Sequence, residues 1–203
     1  MALVAVITAD IVNSTLVSPA TAKKMMEKLV LLLKDYPHEF YRGDSLQILV
    51  PQPANALTLL MQLRTEVRKL SALLDVRAAI GIGEAGASVK NLRMASGEAF
   101  ILSGRSFDLL AEKNDKLVIR TGSNVVNYGL SAVASFADYI FKYVTEKQAG
   151  VLAELLKGSS QLEITRKLKK SPSTISQHAQ AAGWTTLSRV LEDYKNLISV
   201  IGK

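Results

Sequence analysis

Residues 160–182 read SQLEITRKLKKSPSTISQHAQAA, and their spacing sets the expectation for the last third of the chain. Ile164 and Leu168 recur at i, i+4, the buried stripe of a short helix. Ser171 is a natural N-cap, with Pro172 at the first helical position, where a missing N–H costs nothing. Ile175 and Ala179 then form the buried stripe of a second helix. Ser173, Thr174, Ser176, Gln177 and Gln180 are left facing outward, short or amide side chains suited to base edges and phosphates in a major groove. Arg166, Lys167, Lys169 and Lys170 cluster on the first helix and the corner, where they would lie near the sugar-phosphate backbone of bound DNA. Two short helices joined by a tight basic turn make the layout of a helix-turn-helix, a reader of double-stranded DNA. An ordinary helical hairpin is the alternative, but its outer helix would carry long charged residues for solubility.

The flanking sequence extends this unit. Thr145 starts a helix and forms a capping box with Gln148. Leu152, Leu155 and Leu156 give that helix its apolar face, and Gly158 ends it. Gly183 stops the second helix of the pair, and Trp184 is expected to anchor the last one. Leu187, Val190, Leu191, Tyr194, Leu197, Ile198 and Ile201 share one broad stripe, to be met within the chain or by a partner subunit. Residues 141–203 carry 10 Lys+Arg against 5 Asp+Glu, a net +5, whereas residues 1–140 carry +2. The basic excess therefore sits with the helix pair, as counterion-releasing association with a polyanion requires. His38 and His178 share no metal-ligand spacing; His178 is expected to pack or to meet a phosphate.

Composition sets outer limits. The chain has 203 residues, 48% of them hydrophobic, enough for a substantial core. It has no cysteine, which excludes disulfides and thiolate metal sites. Leu29–Leu33 is the longest aliphatic run, far too short for a bilayer, and the first residues lack a basic leader. A soluble, cytoplasmic protein with no membrane partner is expected.

The first 120 residues alternate strands and helices. Leu3–Ile11 reads as a buried strand, Ser18-Pro19 opens a helix to about Lys34, and Phe40–Arg42 and Leu46–Val50 flank a turn at Gly43-Asp44. A helix from about Ala54 to Leu73 follows, with Leu57, Leu60, Met61, Arg64 and Val67 at helical spacing. Val76–Ile82 is another strand, Gly97–Glu112 a helix and Lys116–Arg120 a final strand. The pattern predicts an α/β domain over 1–121, an α+β sandwich with helices covering one face of a mostly antiparallel sheet. A helical connector is expected over 122–144, and an all-α helix-turn-helix domain over 145–203.

Asp10, near the end of the first strand, and Asp44, at the hairpin tip, would converge on one sheet edge if the hairpin pairs beside that strand. Two carboxylates with substrate phosphates are a common way to hold Mg²⁺ or Mn²⁺. Each acid also has a plain structural reading. Gly43-Asp44 suits a tight turn, Asp10 can cap the next turn through Asn13 or Ser14, and Glu98 suits the first turn of its helix.

TADIVNST (8–15), RGDSLQILV (42–50), VRAAIGIGEAG (76–86) and SGEAFILSGR (96–105) resemble the class III nucleotidyl cyclase domain, a ferredoxin-like α+β sandwich. The resemblance implies metal ligation by Asp10 and Asp44 and triphosphate support by Arg105; Arg42, two residues before Asp44, is a further candidate phosphate or ligand contact. It also implies departures. The position of the purine-selecting Lys is Phe40, that of the purine-selecting Asp is Met94, and that of the transition-state Asn is Ile101. Lost transition-state contacts cost orders of magnitude in rate, so cyclisation is not expected. Over nearly its full length the chain is similar to the bacterial SatD family, most specifically in EFYRGDS (39–45) and GEAF (97–100). That resemblance implies the two-domain layout and no settled activity. The combined expectation is a DNA-binding transcriptional regulator. Its degenerate cyclase-like domain would sense a nucleotide or other phosphate-bearing ligand, or support a homodimer. The alternative is a metal-dependent nucleotide-processing enzyme localised by its helix-turn-helix.

Overall fold

A computed structural model describes residues 3–41, 43–86, 92, 95–110 and 115–201. Five strands form one sheet in the order β2-β3-β1-β4-β5: β1 (Leu3–Val12), β2 (His38–Tyr41), β3 (Ser45–Val50), β4 (Asp75–Glu84) and β5 (Leu117–Thr121). All pairings are antiparallel except β4–β5. The β2–β3 hairpin lies beside β1, with Asp10 opposite Ser45. Gly43 turns it at φ +88°, backbone that glycine adopts without strain.

The sheet is covered on both faces, where one covered face was expected. Ala5, Ile7, Ala9 and Ile11 of β1 point into the larger core with α1 (Pro19–Leu33) and α2 (Ala56–Arg68). Val6 and Leu49 point the other way, against Ala99 and Phe100 of α3 (Glu98–Leu110). The signal lies in β4. A Cβ on Gly81 would come within 2.3 Å of the Ala99 carbonyl and 2.4 Å of the Ser103 amide, so the α3 backbone rests directly on the strand. Helix α3 is thus the crossover that makes β5 parallel to β4.

Residues 122–144, expected as a connector, are mostly the 19-residue helix α4 (Asn124–Lys142), a layer of the main core. Leu130, Val133, Ala134, Ala137 and Phe141 are buried with Leu117 and Ile119 of β5. Asp138 of α4 accepts the backbone N–H groups of Lys116 and Leu117 at 2.8 and 2.9 Å, which fixes the start of β5. The last helices, α5 (Glu146–Leu155), α6 (Gln161–Leu168), α7 (Pro172–Ala181) and α8 (Trp184–Ser199), continue from there. The apolar face of α8 is satisfied within the chain: Leu187, Val190, Leu191, Tyr194 and Ile198 join the same core as the sheet. The Tyr194 hydroxyl donates to the Pro53 carbonyl at 2.8 Å, and burial pushes its pKa well above the ordinary range. One interior therefore runs from β1 to α8.

Below the sheet, α2 carries the charges that tie these layers. Arg64 is fully buried, donates to both carboxylate oxygens of Asp75 at 2.9 and 3.0 Å and to Asp138 at 2.6 Å, and lies over the Phe141 ring. Arg68 donates to Asp75 at 2.7 Å and to the Val144 carbonyl at 3.2 Å. Burial pushes the Asp75 pKa up, but the two guanidinium groups outweigh it and hold the carboxyl below its usual range.

Candidate nucleic-acid interface

The α6–α7 unit is built from local rules. Ser160 and Glu163 form a capping box at the start of α6, which the sequence reading passed over, and Thr145 and Gln148 form the expected one on α5. Lys169 ends α6 in the left-handed conformation, φ 51° and ψ 46°, and its N–H returns to the Thr165 carbonyl. The Ser171 hydroxyl accepts the Thr174 N–H at 3.2 Å, and Pro172 occupies the first turn of α7 as expected. Ile164 and Ile175 are fully buried and, with Ala179 and Val151 of α5, make a small core closed by Leu155, Leu168 and Trp184. Leu155 and Trp184 also pack on the main core, so Trp184 joins the two interiors.

With Ile175 and Ala179 inward, Ser173, Ser176, Gln177 and Gln180 are exposed on α7. Thr174 is half-buried, and its hydroxyl lies 2.8 Å from Ser171 within the cap. His178 is half-buried. Arg166, Lys169 and Lys170 are exposed, and among the described residues none of them forms an ion pair. Lys167 differs. It donates to Glu154 of α5 at 2.7 Å, which raises its pKa. Glu154 also accepts from Lys157 at 3.0 Å; burial alone would raise the Glu154 pKa, but these contacts lower it. Lys167, expected at the phosphates, thus braces α6 against α5.

The carboxylate pair lies elsewhere, at one end of β1 and β3. Asp10 faces Ser45 on one side and Arg77 of β4 on the other. Arg77 clasps it with two donors, Nε at 3.1 Å and a terminal nitrogen, and this hydrogen bonding raises the Arg77 pKa. Arg77 also lies over Phe107 of α3, 5.6 Å from the ring centre. The Asp44 carbonyl accepts the Ile11 N–H at 3.1 Å, and its carboxylate accepts the Ser14 hydroxyl at 2.8 Å. Asp10 on β1 and Asp44 in the β2–β3 turn do sit at the same end of the sheet. Ala99, Phe100, Ser103, Ser106 and Leu110 define the inner face of α3, and Arg105 is exposed with Ile101. Arg42 and Met94 lie outside the described residues. Glu98 is exposed in the first turn of α3, between Gly83 and Gly122.

This donor set does not fit a divalent cation. Asp10 already has a guanidinium partner, which an ion would have to displace, and Asp44 already accepts from Ser14. Among the described residues no group of three or more His, Asp or Glu is placed to hold a metal. Among them, too, no helix is long and apolar enough to cross a membrane.

No family model matches the chain, and neither does any curated protein. Two solved structures of a bacterial light-regulated adenylyl cyclase are remotely similar. One aligns with TM-score 0.38 at 13% identity, the other with 0.36 at 12%, each over 58% of this chain. The chain spans 42% of the length of either. The functional reading rests on the geometry of the site itself.

Proposed function

We propose that the chain is a sequence-specific DNA-binding protein and a regulator of transcription, with α7 as its reading helix. The observation that carries this is the division of α7. Ile175 and Ala179 seal it to the interior, while Ser173, Ser176, Gln177 and Gln180 stand in solvent with no long charged side chain among them. In this reading Gln177 and Gln180 meet base edges, for which an amide paired with adenine is the common geometry. Ser173, Thr174 and Ser176 meet phosphates or bases near the helix start, and Arg166, Lys169 and Lys170 meet the backbone. Lys167 contributes through its brace to Glu154.

The sheet domain serves as the rigid support of α7. The clasp of Asp10 by Arg77 and the outward position of Arg105 argue against a metal-dependent nucleotide reaction within one chain. Sensing of a phosphate-bearing ligand then has Arg42 and Arg105 as its cationic candidates.

The test is an electrophoretic titration on duplexes selected from a randomised pool, repeated across a range of salt. The wild-type protein should prefer selected over random duplex, with affinity falling steeply as salt rises. Gln177→Ala should cost about 1–3 kcal/mol on the selected duplex and little on random sequence. Lys170→Ala should weaken both equally and shallow the log–log salt slope by about 0.9. Absent or salt-independent binding would refute the proposal.

A further inference from the structure

Helix α4 is apolar on two sides. Its inner side belongs to the core already described. On its outer side Val125, Tyr128, Ala132, Phe136, Tyr139 and Tyr143 recur at steps of three and four, a single stripe along a helix about 28 Å long. Tyr128 is 81% exposed and Val125 79%, and Phe136, Tyr139 and Tyr143 are each more than half exposed. Of the exposed positions on α4 only Lys142 is charged. A second apolar stripe on a helix calls for a second covering surface, and among the described residues nothing covers this one.

We propose that a second copy of this chain covers it, the two α4 helices packing antiparallel about a two-fold axis near residue 134. An isologous contact needs a face complementary to itself, and this one qualifies. Antiparallel pairing about that point sets Val125 against the partner's Tyr143, Tyr128 against the partner's Tyr139, and Ala132 against the partner's Phe136, a small side chain beneath a large one. Beside the stripe a mostly apolar groove of about 450 Å³ runs between α4 and α8, past Gly129, Val133, Val190 and Leu197, with Asp193 and Asn196 also on its lining.

Area and charge select this occupant. At roughly 200 Å² per ring, the four exposed aromatics present about 500 Å². With Val125, Ala132 and the groove the face approaches the ~800 Å² that each partner buries in a standard interface. A chain of net charge +7 meets its own copy most readily on a face that is almost uncharged. An anionic lipid surface would instead call for rows of Lys and Arg along the helix.

The inference goes beyond DNA recognition and is tested without DNA, so the two can fail separately. Sedimentation equilibrium at micromolar concentration should give twice the 22.0 kDa chain mass. Tyr128→Glu and Phe136→Glu should each raise the dimer dissociation constant by at least about tenfold. The far-UV circular dichroism of the folded chain should stay unchanged, because both side chains are more than half exposed in the single chain. Since the chain has no cysteine, Ser135→Cys beside the axis should form an interchain disulfide under mild oxidation, whereas Lys147→Cys on α5 should not. A monomeric wild-type chain, glutamate variants that remain dimeric, or equal cross-linking of the two cysteine variants would overturn the proposal. So would a monomer that binds anionic vesicles through this stripe.

Discussion

Lys169 shows a single residue divided between stability and charge. Its left-handed backbone costs an L-residue roughly 1–2 kcal/mol, and glycine would remove that strain at the expense of greater freedom in the unfolded chain. Lys169→Gly should therefore raise stability by about 0.5–1 kcal/mol in urea titration. The same variant should shallow the salt slope of duplex binding by about 0.9, because one phosphate contact is lost. A stabilised variant whose salt slope is unchanged would remove Lys169 from the proposed interface and leave its conformation unexplained by charge. Asp10 and Asp44 show the reverse case, in which single residues were read correctly for place but not for partner. The hairpin signal Gly43-Asp44 brought Asp44 beside β1. No local pattern announces that Arg77 will stand opposite Asp10, because that contact exists only once β1 and β4 pair in register.

Among elements, α2 carries the most consequential charges. Asp75 bridges Arg64 and Arg68 in the interior, and Asp138 supplies the second carboxylate on Arg64. Replacing Asp75 by Ala leaves Arg64 with Asp138 alone and strips buried Arg68 of its carboxylate, and should cost about 3–5 kcal/mol, measured by urea unfolding at neutral pH. Acid should act in the same direction. The folded-state pKa of Asp75 is depressed, so its contribution is complete above the unfolded-state value of about 4. It is lost as pH falls through the folded value. The acid limb of the stability–pH curve should be steeper in the wild-type protein than in Asp75→Asn. Helices with local signals were legible: Ser18 caps α1, Thr145 and Gln148 box α5, and Ser171-Pro172 opens α7. Arg64 sat in plain view on the apolar stripe of α2, a charge among Leu57, Leu60, Met61 and Val67. Its partners lie 11 and 74 residues away, beyond the range of any periodicity. The second covered face of the sheet was equally hidden, since its mark is the absence of side chains at Gly81 and Gly83.

For the molecule as a whole the decisive feature is the unbroken interior. The strand–helix pattern and the family resemblance suggested an α/β domain and a helix-turn-helix domain joined by a helical connector. Yet α4 packs on β5, α8 packs on α4, and Tyr194 reaches back to Pro53. Calorimetry should show a single transition with equal calorimetric and van't Hoff enthalpies, as cooperative units do. Two resolved transitions would restore the two-body picture. The basic helix pair could be read from sequence because its two helices are short and adjacent. What it stands on could not, because α8 ties into the core through Tyr194, 141 positions from Pro53.

The inward residues of α7 share their neighbours with the rest of the protein through Leu155 and Trp184. Cutting out α6 and α7 as a cassette would tear that seam, and grafting them elsewhere would require α5 and α8 as well. Positions 173, 176, 177 and 180 carry no such obligation. Under the proposed DNA reading, drift or deliberate randomisation at those four sites would explore new preferences while the scaffold stays intact, so a change of target would be mechanically cheap where a change of frame would not.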